Sequence, residues 1–200
     1  RDSYSISCGL PKTNEIVDKA MQAGMKAVAL TDKNTFFGLV KFYNYALSKG
    51  IKPICGVDFD VKVNNGYTNL ILLAKNKKGL EKLFKLSRES FVQSGSEKRS
   101  IPEKDILNDA DNLVCIIPTS SNNLRNLALK KDEDSIVNLY AKYQKAFTEN
   151  LFIGVSNFSA NGYDPAAAFA CNTAKKNNIS VVAINDVLFL SLIHIWRCRR

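Results

Sequence analysis

The feature that most limits what this chain can become lies in residues 27–58, where two apolar runs flank one amphipathic stretch and each run leads to a carboxylate. Ala27, Val28, Ala29 and Leu30 are continuous apolar residues that stop at Thr31 and Asp32. That is the pattern of a strand covered on both faces, whose polar residues appear only where it leaves the sheet. Leu39, Val40, Phe42, Tyr43, Ala46 and Leu47 then recur at three- and four-residue spacing, and Gly50 supplies a left-handed stop. Residues 51–57 begin a second apolar strand, so Asp32 and Asp58 lie near the ends of successive strands in one strand–helix–strand unit. Such units build parallel sheets, and α/β folds place their chemistry at the carboxyl ends of those strands.

The same punctuation continues along the chain. Thr13 is placed to cap a helix over 14–23, with Glu15 in its first turn and Gly24 beyond it. Residues 59–63 alternate and meet Asn64, Asn65 and Gly66, a hairpin turn into a strand over 68–74. Leu80, Leu83, Phe84 and Leu86 mark a helix after Gly79, and residues 93–100 read as a polar surface loop. A buried strand over 113–117, helices over 122–129 and 134–147, and a strand over 151–155 follow. Asp164 and Pro165 open a helix to about 176, since proline suits the first helical position, and residues 181–184 close the set as a strand. Repeated strand-then-helix units without a glycine-rich phosphate loop favour a parallel α/β barrel over a dinucleotide fold.

Two hundred residues suit one domain that buries about 70% of its unfolded surface. The formal charge of +9 falls to +6 without Arg197, Arg199 and Arg200. Such an excess suits work beside nucleic acid, but it equally describes a solvated lysine-rich surface. The densest clusters, Lys75 to Lys78 and Lys130 with Lys131, lack the interleaved aromatics of a single-strand binding platform, so a pure nucleic-acid module rests on charge alone. Cys8, Cys55, Cys115 and Cys171 are scattered without a CxxC pair, which signals neither a zinc ribbon nor a disulfide framework. No apolar run reaches the length of a membrane span and no signal peptide opens the chain, so a cytoplasmic location is expected.

The wording of the central unit, T-D-x-N-x-x-x-G-x-V-K-F-Y followed by G-I-K-P-I-x-G-x-D-F, resembles the polymerase-and-histidinol-phosphatase (PHP) domain of bacterial replicative DNA polymerase III alpha subunits. Tyr4, Ser5, Gly9 and Leu10 resemble that family's opening motif, and residues 181–187 resemble its V-V-A-T-N-D-V strand end. The resemblance implies an α/β fold, the distorted seven-stranded (βα) barrel of the PHP type, with its first strand upstream of Arg1. It implies a parent that is a DNA-directed DNA polymerase using magnesium bound outside this segment. Its partners would be the polymerase core of the same chain, DNA, and a proofreading subunit.

Active PHP domains hold metal ions with histidines assisted by carboxylates, the ligand type that suits zinc, iron or manganese. By the resemblance, Arg1 stands where an opening histidine falls, Lys33 replaces the histidine after the motif aspartate, and Asp58 takes the place of a glutamate. Phe158 and Leu188 stand at later histidine positions. Asp32, Lys33, Asp58 and Asp186 are therefore the expected vestigial site. Asp32, Asp58 and Asp186 are its weak metal candidates, with no catalytic residue and no cofactor expected in the segment. Lys33 is the candidate cation to neutralise carboxylates that a metal no longer serves. The alternative reading is a metal-dependent phosphoesterase of the histidinol-phosphatase type, against which the lack of histidine before His194 weighs.

The end of the chain differs in style. Residues 190–200, LSLIHIWRCRR, carry the only Trp and the only His together with three of the arginines. They match the translation of a transposase-end sequencing adapter with TGA read as tryptophan. The PHP domain is accordingly assigned to 1–189 and the tail to a translated adapter, and His194, Trp196 and Cys198 carry no functional weight.

Overall fold

A computed structural model describes residues 12–64, 66–92, 98–156 and 164–184. The first unit forms as its pattern requires. Strand β1 (Ala27–Lys33) lies parallel to β2 (Lys52–Val63), with Ala27 opposite Lys52 and Lys33 opposite Asp58. Helix α1 (Thr13–Gln22) and the crossover helix α2 (Leu39–Ser48) cover one side of this pair, burying Val17, Leu30, Phe42 and Ala46 together. Lys12, not Thr13, is the cap residue of α1: its N–H donates to Glu15 Oε2 at 2.9 Å, while Thr13 is buried as the first helical residue. A burial site was open to Thr13 that its cap propensity could not reveal.

The rest of the sheet grows from β2. Strand β3 (Gly66–Ala74) pairs antiparallel to it, Val63 opposite Gly66, because so short a connection can only reverse the chain. A two-residue strand, β4 (Ile101–Pro102), adds to the far end of β2 beside Val61. Strand β5 (Leu113–Pro118) runs antiparallel to β3, and β6 (Leu151–Val155) and β7 (Ser180–Ala183) follow in parallel. The long strands stand in the order β1-β2-β3-β5-β6-β7. The α/β barrel-type sheet expected is present, with β3 as the one strand among those described that opposes the others. The separate strands read over 51–57 and 59–63 are a single strand of 12 residues. A carboxylate at position 58 looks like a strand end in sequence, but here it is buried in mid-strand.

Helices α3 (Lys77–Val92), α4 (Glu103–Leu107), α5 (Asn122–Lys130), α6 (Glu133–Phe147) and α7 (Pro165–Lys176) pack against the sheet's outer face. Val57, Phe59 and Val61 of β2 meet Leu83 and Leu86 of α3 there, all 0% exposed. Two large polar residues of α6 are buried only because each finds an acceptor. Tyr140 donates to the Ala170 carbonyl at 3.0 Å, and Tyr143 to Glu103 Oε1 at 2.8 Å. The inner face is narrow. A Cβ at Gly56 would lie 2.7 Å from the Leu72 carbonyl oxygen, and one at Gly154 would lie 2.8 Å from side-chain carbons of both Ile116 and Ile184. Glycine is what allows neighbouring strands to close up at these two points.

Candidate functional site at the strand ends

Alternation decides what faces the interior. Register partners share a sheet face, and successive residues point to opposite faces. Lys33 pairs with Asp58, and Asp60, two residues on, shares that face and pairs with Asn69 of β3. The result is a compact polar cluster. The Lys33 ammonium lies 3.2 Å from Asp58 Oδ1 and 3.1 Å from Asp60 Oδ1, bridging both carboxylates. Asp58 is 2% exposed and Asp60 8%, so both charges depend on these contacts. Lys98 reaches Asp60 Oδ1 at 3.3 Å from a more exposed position.

Carboxamides complete the cluster. Asn34 follows β1 in a left-handed conformation, φ 55°, which asparagine tolerates better than most residues. Its Nδ2 donates to Asp60 Oδ2 at 3.2 Å, and its Oδ1 accepts from the Asp60 N–H at 2.9 Å. The Asn34 N–H donates to the Asp58 carbonyl at 3.0 Å, and Ser87 Oγ of α3 donates to the Asn34 carbonyl at 3.0 Å. The turn after β1 is thereby tied to both β2 and the outer helix layer. Asn69 Nδ2 approaches Asp58 Oδ1 at 3.4 Å.

The site expected from sequence is therefore partly assembled and partly divided. Lys33 and Asp58 meet. Asp32 does not join them: it pairs with Val57, and alternation turns it to the helix-covered face, where it is 1% exposed. Asp186 lies outside the described residues, as do Arg1, Phe158 and Leu188. Sequence reasoning missed Asp60, Asn34, Asn69 and Lys98. Asp60 had a signal, since it stands two residues from Asp58 in an alternating strand.

These residues do not fit an imidazole-rich metal cluster. The chain's single histidine is His194. Among the described residues no group of three or more His, Cys, Asp or Glu side chains converges to hold a metal ion. The interior pocket beside Asp58, bounded by Asn69, Pro118, Ser120 and Ser156, has a volume of about 20 Å³, room for one water. Cys55, Cys115 and Cys171 are free thiols, and burial pushes each one's pKa up, furthest for Cys115, so none is an activated nucleophile. No helix among the described residues is long and apolar enough to cross a membrane.

A seven-stranded mixed sheet with a polar cluster where β1 ends beside the middle of β2 suits a PHP-type barrel, and the sequence agrees. The PHP domain family matches residues 1–158, and the chain belongs to that family. Its relatives are more particular. The DNA polymerase III subunit alpha of Vibrio cholerae is 29% identical over 192 residues, and that of Buchnera aphidicola from Schizaphis graminum is 31% identical over 193, each match covering 94% of this chain. The chain spans 17% of the length of these relatives. In fold it is similar to an amidohydrolase from Chromobacterium violaceum, with a TM-score of 0.56 at 13% identity, covering 91% of this chain and 84% of that one.

Proposed function

We propose that this chain is the PHP domain of a DNA polymerase III alpha subunit and that the domain serves its parent as a structural scaffold without phosphoesterase activity. The observation that carries the reading is the similarity to such subunits over 94% of the chain. The parent would be a DNA-directed DNA polymerase of the cytoplasm, adding nucleotides to a primer with magnesium bound by carboxylates outside this segment. Its partners would be the polymerase core of the same chain, DNA, and a proofreading subunit.

The scaffold role draws support from the cluster itself. Hydrolysis of a phosphoester by a metal site needs ligands that hold the ions and an open position for water and substrate. Here Asp58 and Asp60 are both engaged by Lys33. What these residues can do is hold β1, β2 and β3 in register by satisfying one another's charge. Two assays test the reading. The product of the full-length gene should extend a primed template in a magnesium-dependent reaction, and the 200-residue chain should release no phosphate from monoesters or 3′ DNA ends with manganese or zinc supplied. Metal-dependent turnover by the chain alone, lost in Asp58→Ala, would restore the phosphoesterase alternative.

A further inference from the structure

Helix α5 carries a polar stripe that takes no part in the cluster at Lys33. Asn122, Asn123, Asn126 and Lys130 fall on one side of the helix, over a length of about 12 Å. That side is one wall of a groove of about 500 Å³, whose other walls include Tyr67 of β3 and Leu139 and Lys142 of α6. The volume falls within the roughly 300–1,000 Å³ of small-molecule sites.

The groove combines three kinds of contact. The three asparagine side chains make no hydrogen bond among the described residues, so each offers a donor and an acceptor to a ligand. Leu127 and Leu139 supply an apolar surface beside them. The charge is positive. Lys130 forms no salt bridge among the described residues, and Lys98 stands 5.3 Å over the Tyr67 ring. Glu103, which also lines the groove, is already engaged by Lys142 and by the Tyr143 hydroxyl. The start of α5 adds to this charge, since its first turn holds no acidic residue and no side chain caps it. Its cap residue Ser121 is 0% exposed, with Oγ unpartnered among the described residues. Ser121 lines a gap of about 10 Å³ that shares Asn123 and Leu139 with the groove.

A ligand that answers all of this is anionic at one end and has a flat apolar face with a hydrogen-bonding edge. A simple anion lacks the face and edge, and a neutral sugar lacks the charge. We propose that the groove along α5 binds a nucleoside phosphate. The phosphate lies toward the lysines and the start of α5, the base edge meets the asparagines, and the base face rests on Leu127 and Leu139. Adenine suits such a wall, because one carboxamide can make two hydrogen bonds to its edge. This site goes beyond the scaffold reading and is independent of it.

The test is isothermal titration of the full 200-residue chain with deoxyadenosine monophosphate, deoxyadenosine and inorganic phosphate. The monophosphate should bind with a dissociation constant on the order of 0.1 mM, and the other two at least about tenfold more weakly, since each supplies only part of the contacts. Lys130→Glu and Asn126→Leu, at exposed positions where folding should be undisturbed, should each weaken the monophosphate about fivefold or more. Lys85→Glu makes the same charge change at an exposed position of α3 outside the groove and should leave the affinity within about twofold. A single-stranded deoxyadenosine tetranucleotide separates the two sources of such a ligand. Binding about tenfold tighter than the monophosphate, and lost in the groove variants, assigns the groove to a unit of a DNA strand; a smaller gain assigns it to a free nucleotide. The inference is overturned if neither nucleotide probe binds below about 10 mM, or if inorganic phosphate binds as tightly as the monophosphate. It is equally overturned if the groove variants leave the affinity unchanged, or if Lys85→Glu lowers it as much as they do.

Discussion

The two faces of β2 are equally buried and made of opposite materials. Outward, the apolar side chains of Val57, Phe59 and Val61 pack with Leu83 and Leu86 of α3. Inward, Asp58 and Asp60 meet Lys33, Asn34 and Asn69. Burial on the outer face is favourable in itself, at about 25 cal/mol per Å² of apolar surface removed from water. Burial on the inner face is a cost that specific partners must offset, and a well-paired buried cluster often contributes little net stability against an apolar replacement. The outer face therefore explains why the strand is held, and the inner face explains which strands lie beside it.

The largest effect should come from the outer face. Phe59→Ala removes a ring that is 0% exposed between Leu83, Leu86 and the sheet. Unfolding in urea should show a loss of about 3–5 kcal/mol, the range for Phe-to-Ala in a packed core. A loss under about 1 kcal/mol would mean that the outer face can collapse around the gap and that the contrast between faces is not one of packing.

The inner face should respond less to a single change and more revealingly to a double one. Asp58→Ala strips Lys33 of one of the two carboxylates it meets among the described residues and should cost about 1–3 kcal/mol, since Asp60 remains to the lysine. Lys33→Met/Asp58→Leu replaces that pair by apolar groups and should return to within about 1 kcal/mol of wild type. Equilibrium melts of both single variants and the double give the coupling directly. Additive losses with no recovery would show that the pair is worth its contacts and that the two faces stabilise the strand alike.

How far these faces were legible in advance follows the range of the interactions. The outer face is written locally, in alternating or continuous apolar residues, and the unit from β1 to β2 appears where the pattern puts it. Asp164 caps α7 as its position before Pro165 implies, accepting from the Ala166 and Ala167 N–H groups. The inner face is assembled from residues far apart in sequence: Lys33 with Asp58 and Asp60, Asn69 across a hairpin, Lys98 from beyond α3. Resemblance marked Lys33 and Asp58, but breaking β2 at Asp58 hid Asp60 on the same face. Treating both aspartates as strand-end groups also placed Asp32 beside Asp58, when the register sends it to the other side. Ends of strands are set by neighbours, and a single sequence does not show them.

A third place supplies the control for what an ionic contact is worth outside the barrel. Arg125 Nη1 meets Asp164 Oδ2 at 2.6 Å, with the arginine side chain 42% exposed and the aspartate 23%. The hydrogen bond from Arg125 holds the Asp164 carboxyl below the usual carboxylate range, with the cap bonds from Ala167 and Ala166 adding to it. Because the folded pKa is the lower one, the unfolded chain binds the proton first as pH falls. The pair's contribution is therefore complete above the unfolded value, about pH 4, and disappears as pH drops through the folded value. Asp164→Asn keeps an effective cap and removes only the charge. At neutral pH it should cost less than about 1 kcal/mol, as exposed pairs do. The gap between wild type and variant should narrow below about pH 4 and close in strong acid. Urea melts across that pH range would read it, and a cost matching that of Asp58→Ala would erase the distinction between an ion pair the sheet encloses and one that water still reaches.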